Sequence, residues 1–262
     1  MSYNPENKPV IAVVGCGPGI GAAVARRFTS EGFVAALLAR SEDSLRAIAA
    51  GIDAEFGVGI SRYYITDLRI EESVISSFRA IRAEIGPVQV LVYNAGARRV
   101  NGRKLLDTTT EEFECFTKIN LFGAFWSTKC VLPDMLDRGR GTVIYTGATG
   151  SLRGSPGLSS FSPGKFGLRS LAQVVAREYQ DRGIHASHVI IDSPVDGKLI
   201  GGAKKRQWQR ENAVQKLENI EAHLLQPTDL ALMYWFLHTQ PRSTWTHELD
   251  VRPQKEDMFS KL

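Results

Sequence analysis

Apolar and polar positions alternate between two rhythms along the chain. Residues 10–14, 34–38, 60–65, 88–92, 142–146 and 185–191 form short runs rich in apolar and β-branched side chains, which predicts strands. Between them the apolar positions fall at helical spacing, which predicts helices over 19–31, 42–56, 71–85, 112–137 and 164–182. In the last of these Leu168, Leu171, Val175 and Tyr179 mark one buried stripe. A final helix opens at Pro227, a favoured first-turn residue, carries Leu230, Met233, Tyr234 and Leu237, and stops before Pro241. A last strand is predicted over 245–251. Strict alternation of strand and helix implies an α/β fold: one doubly wound parallel sheet with helices on both faces, in three layers. No repeat and no Pro/Gly/Ser-rich linker interrupts the pattern, so residues 1–262 are expected to form a single domain.

Composition narrows the class. With 262 residues, 43% hydrophobic and 23% charged, the chain is neither disordered nor a disulfide-stapled miniprotein. No run approaches the ~18 apolar residues of a membrane span, so no membrane partner is expected. Thirty-two Lys and Arg against 28 Asp and Glu leave +4, dispersed, which gives no footprint for nucleic acid. Cys16, Cys115 and Cys130 lack metal-ligand or CxxC spacing and read as reduced thiols, and the five histidines show no metal pattern. The polar N-terminal residues lack the apolar core of a secretory signal. Ser260-Lys261-Leu262 matches the tripeptide read by the peroxisomal import receptor, so a peroxisomal location is expected, otherwise a cytoplasmic one.

The first strand runs into Gly15-Cys16-Gly17-Pro18-Gly19-Ile20-Gly21 and then a helix. Glycines let backbone approach a pyrophosphate, and the free N–H groups and dipole of the helix N-terminus favour its charge. At the first strand–helix junction of an α/β chain this predicts a dinucleotide site.

With that turn the sequence resembles the short-chain dehydrogenase/reductase family over nearly its whole length, and the resemblance implies a Rossmann-like fold. The family's TGxxxGxG turn is matched by residues 14–21, with Val14 in place of Thr. Its NAG motif is matched by Asn94-Ala95-Gly96, its acidic residue at the adenine by Asp67 followed by Leu68, and its helix asparagine by Asn120. The second strand ends Ala39-Arg40-Ser41. No carboxylate is available there for the ribose hydroxyls, and Arg40 offers a planar fork for a 2′-phosphate, which favours NADP(H) over NAD. The family's motif after the sixth strand is altered to Asp192-Ser193-Pro194-Val195-Asp196, with Pro194 and Val195 at the nicotinamide.

The catalytic positions implied by the resemblance are incomplete. The family protonates its substrate oxygen with a tyrosine in a YxxxK pair, assisted by a serine. Here the pair reads Phe161-Ser162-Pro163-Gly164-Lys165, and the serine position, thirteen residues earlier, is Ala148. Asn120 and Lys165 remain, and Lys165 is implied to hold the nicotinamide ribose. Loss of a general acid removes roughly 10²–10⁴ in rate, and loss of an oxyanion donor a further ~10²–10³, without simple multiplication. Tyr145 should point to the opposite face of its strand, whereas Ser151, Ser159, Ser160 and Ser162 are close enough in sequence to be considered as replacement donors.

Arg98, Arg99, Arg103 and Lys104 follow the NAG motif and Arg153 follows the fifth strand, which suggests an anionic or thioester-linked substrate. Residues 198–223, with Trp208, are expected to form a helical lid. The resemblance also implies a homodimer or homotetramer, paired through 112–137 and 164–182. Two functions are therefore open: an NADP(H)-dependent oxidoreductase working without the Ser/Tyr pair, or a non-redox member that uses the pocket as a nucleotide-binding pseudoenzyme or for a dehydration or rearrangement.

Overall fold

The computed structural model describes residues 8–96, 104–197 and 224–255. Seven strands form one parallel sheet: β1 (Val10–Val14), β2 (Val34–Ala39), β3 (Ser61–Ile65), β4 (Val88–Tyr93), β5 (Gly141–Thr146), β6 (Ile184–Ile191) and β7 (Glu248–Val251). The helices are α1 (Ile20–Ser30), α2 (Glu42–Phe56), α3 (Glu71–Glu84), α4 (Thr110–Thr117), α5 (Gly123–Asp137), α6 (Phe161–Tyr179) and α7 (Pro227–Thr239). Sheet order is β3-β2-β1-β4-β5-β6-β7, a Rossmann-like arrangement whose direction of winding reverses between β1 and β4.

The apolar runs are explained by burial on both faces. Along β1, Val10, Ala12 and Val14 pack with α3, α5 and α6, while Ile11 and Val13 pack with α1, α2 and α7. The layers predicted from the alternation are therefore present. Most element ends fall within a residue or two of the sequence expectation.

Three differ for physical reasons. The segment expected as one helix over 112–137 begins earlier, at Thr110, where Thr109 accepts the Glu112 N–H at 3.2 Å, and it is interrupted by a π turn at Lys118–Phe122. Helix α6 begins at Phe161, so Phe161, Ser162 and Pro163 form its first turn rather than a loop. The last strand is only Glu248–Val251; Trp245 lies outside it, stacked on His185 with ring centroids 4.8 Å apart. The expected lid at 198–223 and the Ser260-Lys261-Leu262 tail lie outside the described residues. No helix among the described residues is long and apolar enough to cross a membrane.

Candidate functional site

The site lies at the carboxyl ends of the strands, around the point where the winding reverses. The chain leaves β1 through Gly15 at φ +80°, and the Gly15 and Cys16 N–H groups donate to the Leu38 carbonyl at 2.8 and 3.0 Å. A Cβ on Gly15 would stand 2.5 Å from the Ala95 Cα, so both conformation and space require glycine there. Asn94 clamps the same turn from β4, its Nδ2 donating to the Gly15 carbonyl at 3.0 Å.

Gly17 and Gly19 behave differently. A Cβ at either would meet no atom within 4 Å. Helix α1 opens at Gly19 without a side-chain cap, and Gly21 lets it pack against Cys16, where a Cβ would lie 2.8 Å from the Cys16 Cα. Open space before an uncapped helix N-terminus fits a pyrophosphate, and Ile20 begins the helix that would face it.

Of the residues expected at the adenosine end, Arg40 and Ser41 are exposed, and the Ser41 hydroxyl caps α2 through the Ser44 N–H at 3.5 Å. Leu68 turns its side chain into the core at the start of α5, 3.1 Å from where a Gly123 Cβ would lie. The Asp67 carboxylate is gripped by Arg69. Pro194 and Val195 are tied to Leu225: the Leu225 N–H donates to the Pro194 carbonyl at 3.0 Å, and Val195 bridges Leu225.

Lys165 is buried on α6 and donates to the carbonyls of Thr146 at 2.8 Å and Ala95 at 3.3 Å. Burial lowers its pKa from 10.5 to about 8. Asn120, fully buried in the π turn, has no partner for either amide atom among the described residues. A Cβ on Gly96 would stand about equally near both groups, 3.9 Å from the Asn120 Oδ1 and 4.0 Å from the Lys165 Nζ. A buried amide without partners marks a place built for something polar. Asn120, Lys165, Gly96 and Ala95 are thus brought together in one place. The π turn also frees the Ile119 carbonyl, which accepts the Tyr93 hydroxyl.

Phe161 sits one helical turn before Lys165, and its ring centroid is 6.0 Å from the ammonium. The ring occupies space beside Gly150, where a Cβ would lie 2.9 Å from it. Ala148 offers only its backbone N–H, which donates to the Ser151 Oγ at 3.2 Å. The serines considered as replacement donors are largely committed. Ser151 also contacts the His188 Nε2 at 3.2 Å, Ser159 bonds Thr108 at 2.6 Å, and Ser160 donates to Glu112 at 3.2 Å. Among the four, Ser162 alone has a buried hydroxyl with no partner among the described residues. Tyr145 does not point to the opposite face from the site helices: it packs on the sheet face covered by α5 and α6, and what withdraws it is its hydroxyl bond to Thr128 at 2.8 Å.

Sequence reasoning missed two groups. His188 lies under Gly147, and burial, with Lys165 and Arg169 nearby, lowers its pKa to about 3. Asp192, at the end of β6, is buried, accepts from Thr149, pairs with Arg252 at 2.5 Å and lies 3.9 Å from Arg153. A histidine within β6 and an aspartate one residue beyond its end were the available signal.

Fold and site together define a dinucleotide-binding α/β protein. The family model for short chain dehydrogenase matches residues 9–196. A short-chain dehydrogenase/reductase of Armillaria gallica is 32% identical over 247 residues, covering 90% of this chain and 91% of its own. Among solved structures, a short-chain dehydrogenase from Rhodopseudomonas palustris is 33% identical with a TM-score of 0.75, covering 95% of this chain and 100% of its own. An alcohol dehydrogenase from Thermococcus sibiricus, complexed with 5-hydroxy-NADP, is 27% identical with a TM-score of 0.79, covering 95% and 98%. The chain belongs to the short-chain dehydrogenase/reductase family of NAD(P)-dependent oxidoreductases.

Proposed function

We propose that this protein is an NADP(H)-dependent oxidoreductase that works without the family's Ser/Tyr pair, on an anionic or thioester-linked substrate. The observation that carries this is the contrast within one site. The cofactor turn is open and Lys165 is retained and buried, while Ala148 and Phe161 present no hydroxyl. Gly17, Gly19 and Ile20 would hold the pyrophosphate, Arg40 the 2′-phosphate, and Asn94, Lys165 and Asn120 the nicotinamide end. The bound cofactor supplies a hydride. Lys165 supplies positive charge one turn from Phe161, and the apolar wall of Ala148, Gly150 and Phe161 leaves the substrate's own functional group to carry the developing charge. A conjugated thioester takes the hydride as a delocalised enolate that solvent water protonates afterwards, and an iminium takes it to a neutral amine, so neither needs a proton from this wall. Of the cations expected to meet an anionic group, Arg98, Arg99 and Arg103 lie outside the described residues, Lys104 is exposed, and Arg153 lies 3.9 Å from Asp192.

A non-redox reading, a pseudoenzyme or a dehydration or rearrangement catalyst, is favoured by one observation: Ser151, Ser159 and Ser160 are all committed to protein partners. The double variant Ala148→Ser/Phe161→Tyr separates the two. With NADPH and simple activated ketones it should create or raise reduction by about 10²-fold or more. No rise, with NADPH still bound, favours the non-redox reading. Arg40→Asp should reverse a preference for NADPH over NADH measured by fluorescence titration; equal affinities in the natural protein refute the NADP(H) assignment.

The exposed Phe122, Phe125, Phe166 and Val174 on and beside α5 and α6 support pairing with a second copy, to be read from the mass in solution by light scattering. For the location, Ser260-Lys261-Leu262 at the end of a fluorescent protein should direct it to peroxisomes; diffuse fluorescence overturns that address.

A further inference from the structure

Asp67 is the residue that the family pattern assigns to the adenine, but its carboxylate is already engaged. The Oδ1 accepts the Arg69 backbone N–H at 3.0 Å and the Arg69 Nε at 2.9 Å; the Oδ2 accepts the same Nε at 3.1 Å and the Nη2 at 2.5 Å. Four contacts occupy about as many acceptor positions as a carboxylate offers. From the other side the Asp67 N–H donates to the Ser73 Oγ at 2.9 Å, fixing the backbone. Arg69, and to a lesser degree Arg40, hold the Asp67 carboxyl below the usual carboxylate range.

The fork that grips Asp67 is itself open on one side. The Arg69 side chain is 44% exposed although it is held by a bidentate pair, with the Cys115 thiol of α4 beside it. Arg40 stands close by, because the Thr66 N–H donates to the Ala39 carbonyl at 2.8 Å and sets the ends of β2 and β3 side by side. One guanidinium, that of Arg69, grips the carboxylate, and that of Arg40 lies within electrostatic range of it, at the edge where the adenosine of a dinucleotide seated on the β1 turn would reach.

We infer that Arg69, and not Asp67, is the residue that binds the adenine, through the flat face of its guanidinium, and that Asp67 is a positioning residue that holds that face in place. A planar, weakly hydrated cation stacks on aromatic rings, and a purine offers such a face whatever its substituents. Arg40 is then left for the 2′-phosphate. This rests on the reading that the protein binds NADP(H).

The test is a set of binding titrations by tryptophan quenching, with NADPH, NADP⁺ and 1,N6-etheno-NADP⁺, whose adenine amine is blocked. NADP⁺ and its etheno form should bind the natural protein within about threefold of each other. Arg69→Met should weaken both about tenfold or more, with the melting temperature unchanged because the side chain is exposed. Asp67→Asn should weaken both in equal proportion. A loss of tenfold or more for the etheno form alone overturns the inference and returns the adenine amine to Asp67. Unchanged affinities in Arg69→Met overturn it as well, leaving an ordinary surface ion pair. No binding of NADPH to the natural protein would instead refute the cofactor reading, and this inference with it.

Discussion

At the carboxyl edge of the sheet, the turn after β1 keeps space empty where side chains would stand, and the loop after β5 fills it. Both stretches depend on glycine. At Gly17 and Gly19 the missing Cβ faces nothing within 4 Å, whereas at Gly147 and Gly150 it makes room for His188 and Phe161 packed against the backbone. Gly17 and Gly19 leave open space, whereas Gly147 and Gly150, like Gly15 and Gly21 at the two ends of the β1 turn, permit close packing. A glycine in a motif therefore states little until the atoms opposite it are known.

The comparison can be broken at Gly147. Its Cβ would lie 2.3 Å from the buried His188 Nε2, so Gly147→Ala should cost up to about 3 kcal/mol through overpacking. That appears as a melting temperature lowered by several degrees. A melt equal to that of the natural protein would show that the loop after β5 is as loosely filled as the turn after β1.

Acid probes the same packing. A histidine with an ordinary pKa of 6.5 is held neutral at position 188 down to about 3, so the unfolded chain binds a proton that the folded one refuses. Stability from this group is present above pH 6.5 and is lost as pH falls towards 3. At pH 5 the loss is about 2 kcal/mol. His238, whose pKa burial lowers to about 4, adds in the same direction. The melting temperature of His188→Gln should fall less between pH 7 and pH 5 than that of the natural protein; parallel falls would place the acid sensitivity elsewhere.

The smallest expected effect sharpens the contrast from the open side. Gly17→Ala should leave the melting temperature within about 2 °C and weaken NADPH about tenfold, about 1.4 kcal/mol, because its methyl enters ligand space alone. Lost stability with unchanged affinity would reverse the assignment.

Legibility along the chain follows the same division. The layers, the order of elements and the β1 turn were readable because they rest on local rhythm: runs such as residues 10–14 are buried on both faces, and a glycine cluster at the first strand–helix junction has few uses. The short last strand was not readable, because Trp245 satisfies strand propensity yet spends its ring on His185. Nor was the π turn, which forms where Gly164 lets α6 close on Asn120; a Cβ there would lie 2.9 Å from the Asn120 Cβ. The named partners of Asp67, Ser151 and Asp192, which are Arg69, His188 and Arg252, lie 2, 37 and 60 positions away, and only the shortest separation leaves a trace in the sequence.

The π turn has a consequence for how the site could change over time. An α-helix advances about 100° per residue, so one residue held out of step rotates everything beyond it by over a quarter turn. Residues 118–122 therefore act as a phase joint between two stretches of one rod. Before the joint, α4 is clocked by the segment near Ser160, through Glu112; beyond it, α5 is clocked by the sheet, through residues such as Val131 and Met135. The face that α4 presents can be reset by substitution or by a shift of register without turning the face that α5 buries, and Asn120 rides on the pivot.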